Sequence, residues 1–184
     1  SNIKQIQDGD IIDLHLDLIA GLPLENLESF TNTFNEVFRL GAKELQLGFL
    51  KMLRGTKIRN EAAKYEYVFD DQAPYQIIKN NVLSNEDIEL IHKVEHMLEI
   101  YHNKGYFGDN LQSILLKKEN PFKFFTKLAQ YYTENNLKTY AYQIEDVYKV
   151  LFNFLDEHEQ YLVKIDYLKR SKIKPKLFFD VVKE

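Results

Sequence analysis

The sequence predicts a mixed fold, α/β to α+β and mostly helical, with one parallel βαβ unit followed by a helical domain. Three observations predict it. Two short apolar runs near the amino-terminal end are bounded by turn residues, as strands are. A segment between them carries apolar residues at helical spacing. From about residue 57 onward the pattern is almost entirely helical, with start and stop signals at the expected places.

The first run, residues 11–19 (IIDLHLDLI), is followed by turn residues Gly21 and Pro23. Residues 24–40 place Leu27, Phe30, Phe34, Val37 and Phe38 on one helical face, and Gly41 stands at the carboxy-terminal end. The second run, residues 45–53, ends at Arg54-Gly55-Thr56. Two strands joined by one helix should be parallel, with a right-handed crossover.

Past this unit, residues 57–65 predict a short helix and residues 67–75, which include Pro74, an irregular or briefly extended link. Ser84 and Asp87 form an S-x-x-D capping pair ahead of the stripe Ile88, Ile91, Val94, Leu98, Tyr101. Gly105 and Gly108 interrupt it, and a short helix is expected over 110–117. Asn120-Pro121 supplies an N-cap and first-turn pair for a helix to about Glu134. Two more helices are expected over 140–158 and 160–170. The organisation read from this is a tag remnant at 1–2 (Ser-Asn), the βαβ unit at 3–56 and the helical domain at 57–184.

The chain has 184 residues, 45% hydrophobic and 28% charged, a globular composition that excludes wholesale disorder. Thirteen Phe and twelve Tyr, with no Trp, supply the large core side chains. A net charge of −4 argues against a nucleic-acid partner held by bulk electrostatics. No apolar stretch reaches the roughly 18 residues that a membrane span requires. With no cysteine, this chain offers neither disulfides nor thiolate ligands. Together with the polar amino-terminal segment, that fits a cytoplasmic location.

The segment His15-Leu-Asp-Leu-Ile-Ala-Gly-Leu-Pro-Leu-Glu25 resembles the late barrel strand of radical S-adenosylmethionine enzymes, which reads Asp-hydrophobic-Ile-x-Gly-Leu-Pro-Gly-Glu ahead of a helix. Asp17, Ile19, Gly21, Leu22, Pro23 and Glu25 match, and Leu24 departs from the usual Gly. Residues 45–56 (LQLGFLKMLRGT) resemble the next strand with its terminal Gly-Thr. The two together are similar to a branch of cobalamin-domain radical enzymes with a helical carboxy-terminal domain, described as magnesium-protoporphyrin IX monomethyl ester oxidative cyclase-like. The short segments Ala73-Pro-Tyr75 and Asp166-Tyr-Leu168 resemble that helical domain.

The resemblance implies that the chain is the carboxy-terminal piece of an oxidoreductase, its βαβ unit forming the end of a partial TIM-type barrel. In the parent a four-iron four-sulfur cluster on a Cys-x3-Cys-x2-Cys loop would cleave S-adenosylmethionine, and cobalamin is a further cofactor of the branch. This piece would be inactive alone and hold no cofactor. Its partners would be the missing barrel strands, or a second copy of the chain at the exposed strand edge.

Alternation along the strands names the candidate site residues. Leu14, Leu16 and Leu18 should meet the helices, leaving His15 and Asp17 on the opposite, cavity-facing side. On the second strand Gln46 and Gly48 point the same way. These four are candidates for contact with substrate, and Gly21, Leu22 and Pro23, at the strand's carboxy-terminal end, for contact with cofactor. Structural roles compete with these. His15 and Asp17 can satisfy each other as a buried pair, Gly48 can serve close packing, and turn geometry accounts for Gly21 and Pro23.

Other motifs carry less. His92-Lys-Val-Glu-His96 fits the H-x-x-E-H zinc signature, but its polar residues fall opposite the apolar stripe, on the expected solvated face. The locally basic run 164–176 reads as charged surface near a terminus. Phe122, Phe124, Phe125, Tyr131 and Tyr132 read as core. The rival to the radical-enzyme reading is a stand-alone helical interaction module with a structural βαβ unit.

Overall fold

The computed structural model describes residues 14–170. Its first unit is β1 (His15–Ala20), α1 (Leu27–Phe38) and β2 (Glu44–Phe49), and the strands pair in parallel from His15↔Glu44 to Ala20↔Phe49. Helix α1 starts where Asn26 accepts a hydrogen bond from the Ser29 amide at 2.9 Å, and it buries Phe30, Phe34 and Phe38 at successive i+4 positions. The βαβ unit is therefore parallel, as expected.

After β2 come a helical turn, α2 (Lys57–Asn60), and a 3-10 turn at Ala62–Tyr65. Next is a small antiparallel hairpin of β3 (Val68–Phe69) and β4 (Ile77–Lys79). The link expected over 67–75 is thus partly strand. Its pairing is set by distant backbone groups: the Leu50 carbonyl accepts from the Ile77 amide at 3.0 Å, and Met52 N–H donates to Tyr75 O at 2.8 Å. The hairpin extends the carboxy-terminal end of β2 rather than standing alone.

Helix α3 (Asn85–Leu98) opens on the Ser84–Asp87 capping box and buries Ile88, Ile91, Val94 and Leu98, with Tyr101 buried beyond it. It runs into a π-helical turn at Glu99–Asn103, which the sequence pattern does not announce. That turn brings the Asn103 side chain to β2, where Oδ1 accepts from Leu45 N at 3.0 Å and Nδ2 donates to Leu45 O at 3.1 Å. One amide occupies both outward backbone groups of that residue.

The remaining elements are α4 (Asp109–Lys117), α5 (Pro121–Glu134), α6 (Ile144–Phe154) and α7 (Glu157–Arg170). Two side chains from distant elements finish helix ends. Buried Asn35 of α1 accepts from Phe122 N at 2.8 Å at the start of α5, and buried Asp166 of α7 accepts from Leu111 N at 3.0 Å and Asn110 Nδ2 at 2.8 Å at the start of α4. Of the segment 166–168, Asp166 and Tyr167 are buried and Leu168 is exposed. The part of the basic run beyond Arg170 lies outside the described residues.

Buried residues of the βαβ unit and of the helices belong to one continuous core. The rings of Phe30 and Phe34 meet Phe122 edge-on at 6.1 and 5.4 Å, and Phe38 meets Phe125 at 5.6 Å. The Phe122–Tyr132 cluster is accordingly core, with Tyr131 packed on Phe154.

Candidate functional site

The two strands have unlike faces. Leu16 and Leu18 of β1 and Leu45 and Leu47 of β2 pack inward against the helices. The other face carries His15, Asp17 and Ile19, beside Glu44, Gln46 and Gly48 in register. His15, Asp17, Ile19 and Gln46 are exposed and Gly48 is half-buried. This brings the four substrate-side candidates together on one open surface, with Asp17 directly across from Gln46.

His15 does not pair with Asp17 as the structural alternative supposed. Its Nδ1 lies 2.9 Å from Glu44 Oε2, the residue opposite it in register. Both side chains are substantially exposed, so the pair contributes little stability. Glu44 went unrecognised because a cross-strand neighbour is visible only once the register is known.

The turn at the end of β1 has the backbone of a glycine-rich loop. Gly21 is buried with φ +93°, and Leu24 holds φ +68° while 74% exposed. Leucine rarely enters this left-handed region, at a cost of roughly 1–2 kcal/mol. So Leu24 adopts a conformation that suits a glycine. Leu22 is exposed and Pro23 half-buried between them. Glu25 folds back onto α1, its carboxylate accepting from Thr33 Oγ1 at 3.1 Å. The matching end of β2 closes at Gly55 (φ +81°), where Thr56 Oγ1 donates to Leu53 O at 2.7 Å.

The hairpin supports this turn from below. The Tyr67 hydroxyl donates to the Gly21 carbonyl at 2.8 Å, and a side chain on Gly21 would meet Ile77 Cδ1 at 2.8 Å. Burial raises the Tyr67 phenol above its ordinary pKa, with the nearby Asn80 amide opposing the shift. Neither Tyr67 nor Ile77 was singled out from sequence. The only available signal was the aromatic and β-branched content of their neighbourhood.

Beside β2, His92 stacks on Phe49 with ring centroids 3.6 Å apart, and Gln76 Nε2 lies 2.8 Å from His92 Nε2. This corrects the expected solvated face: His92 is half-buried because β2 packs over that side of α3. Burial, with His96 adding to it, lowers the His92 pKa. Glu95 contacts His96 at 3.6 Å, and among the described residues no group of three or more His, Cys, Asp and Glu can hold a metal ion. Nor is any helix among them long and apolar enough to cross a membrane.

A profile of the family described as "Protein of unknown function (DUF4080)" matches residues 63–182. The chain belongs to the DUF4080 family. The matched span begins just before the hairpin and takes in the helical region from α3 onward, so the DUF4080 domain includes Tyr67, Ile77 and His92. The strand residues His15, Asp17, Gln46 and Gly48 and the Gly21–Pro23 turn precede that span. No curated protein matches the chain.

Proposed function

We propose that the chain is the carboxy-terminal part of a radical S-adenosylmethionine oxidoreductase, of the kind described as magnesium-protoporphyrin IX monomethyl ester oxidative cyclase-like. The β1–β2 pair ends the partial barrel, and the DUF4080 domain closes its helical side. One observation carries the reading: a parallel strand pair whose polar face stays open and whose β1 edge pairs with no other strand among the described residues. Parallel sheets are ordinarily covered on both faces, so this one is built to be completed.

The chain has no cysteine, so an iron–sulfur cluster would be held by the preceding part of the parent. There it would supply reductive cleavage of S-adenosylmethionine, with cobalamin as the branch's further cofactor. The residues here would do the holding. Gly21, Leu22 and Pro23 present backbone to the cofactor at the strand end, while His15, Asp17, Gln46 and Gly48 face the substrate. The preceding barrel strands take the β1 edge in the parent, and a second copy takes it in the isolated chain. The location is cytoplasmic.

The test is the gene that encodes the chain. The region preceding these strands should encode Cys-x3-Cys-x2-Cys, and the whole protein, reconstituted without oxygen, should release 5′-deoxyadenosine where the present chain releases none. A gene without that motif would overturn the proposal.

A further inference from the structure

Tyr67 and Ile77 reach out of the DUF4080 domain to a turn that lies before it in the chain. We infer that Tyr67 is a positioning residue, and that the β3–β4 hairpin clamps the Gly21–Leu24 turn in its left-handed geometry. That the clamped turn serves a ligand rests on the function proposed above; the clamp itself does not.

Two contacts converge on Gly21, and a third holds the residue before it. Its carbonyl accepts from the buried Tyr67 hydroxyl at 2.8 Å. Its α-carbon lies so close to Ile77 that an added Cβ would stand 2.8 Å from Cδ1 and 3.0 Å from Cγ2. Its neighbour Ala20 accepts from Leu50 N at 2.9 Å, and the Leu50 carbonyl accepts from Ile77 N at 3.0 Å. Ala20, Leu50 and Ile77 thus form one chain of backbone bonds running from β1, through the residue that follows β2, into β4.

Asn80 closes the far side. Its Oδ1 accepts from Val82 N and Leu83 N at 2.9 and 2.7 Å, while Nδ2 is buried without a hydrogen-bond partner of good geometry. The same amide influences the Tyr67 phenol.

A turn with positive φ at both Gly21 and Leu24 has alternatives of lower intrinsic energy, and Leu24 is not held by burial. Residues 22–25 close on their own bond, Glu25 N–H to Leu22 O at 3.4 Å, and the Gly21 end is gripped from outside the turn by the Tyr67 bond and the Ile77 contact.

Hydrogen exchange on this chain tests the clamp. In Tyr67→Phe the ring stays and the bond is lost, so the amides of Glu25 and Leu50, bonded to Leu22 O and Ala20 O on either side of Gly21, should exchange about fivefold faster while Val94 and Leu98 in α3 are unchanged. Unchanged rates at Glu25 and Leu50, or equal acceleration in α3, would overturn the inference. Ile77→Val removes Cδ1 without emptying the site, so Gly21→Ala should destabilise less in that background than alone. Equal penalties would overturn the packing half of the clamp. Absence of 5′-deoxyadenosine from the parent sinks the radical-enzyme reading and leaves these exchange rates unaffected.

Discussion

The βαβ unit and the helical region share one core yet treat their outer surfaces differently. Helices α3 to α7 turn their apolar stripes inward, and Phe125, Leu128, Tyr148 and Leu151 are fully or almost fully enclosed. Around the strands, Ile19 is 48% exposed, Leu22 40%, Leu24 74% and Leu53 48%. The helical region also exposes Leu116, Tyr140, Tyr161 and Leu168, but these are scattered over α4, the loop before α6 and α7, whereas Ile19, Leu22, Leu24 and Leu53 all fall on or just past the two strands. Scattered exposed leucines are ordinary, and a group at the ends of two parallel strands is the surface that the parent's remaining strands would cover under the function proposed above.

If that contrast is real, truncations on its two sides should differ widely. Phe125→Ala should lose about 3–5 kcal/mol of unfolding free energy, measured by urea titration, whereas Ile19→Ala should cost no more than about 0.5 kcal/mol. Comparable losses would mean that Ile19 is enclosed in solution and would break the comparison. Asp166→Ala comes next, at about 2–3 kcal/mol, because it strips the acceptor from the Leu111 amide and from Asn110 inside the helical region.

Acidification should act at the seam between the regions. Burial lowers the pKa values of His92, against β2, and His102, in the π-turn and bonded through Nδ1 to Gln112 Oε1 at 2.9 Å. A histidine whose folded pKa lies below its unfolded value binds its proton more readily once unfolded. Stability from each is therefore intact above about pH 6.5 and falls as pH drops through the folded pKa. Melting curves between pH 7.5 and 5 should show this, with a shallower pH slope in His102→Gln. The smallest effect expected is at the turn: Leu24→Gly should raise stability by about 0.5 kcal/mol, since relief of the left-handed strain outweighs the added chain entropy. A loss there would mean that the Leu24 side chain makes a contact in solution.

What was legible in the sequence was local. The Ser84–Asp87 box, the Asn120-Pro121 helix start and the alternation along β1 each depend on residues within a few positions of one another, and each predicts the element found. The hairpin was not legible, because two- and three-residue strands are fixed by backbone groups of residues 50–52. The cap on α4 comes from Asp166, 55 residues away from the amide it accepts. Periodicity gave the direction in which His92 points but not that β2 lies over it. At the site, the shared face of His15, Asp17, Gln46 and Gly48 followed from strand period alone. The Glu44 partner and the Tyr67 contact needed register and tertiary packing.

The Asn103 amide on Leu45 has a bearing on how such a sheet can be assembled. Every sheet is a template with two growing sides, and a bare side invites whatever strand arrives first. Here the outward groups of Leu45 are filled by Asn103, and the far end of β2 is taken by the hairpin. Addition at β2 is thereby terminated at both ends, while β1 pairs with no other strand than β2 among the described residues. Under the function proposed above, the pair would act as a one-sided end-stop: its β2 side is occupied by groups of this chain, so the parent's barrel strands would join it only at β1.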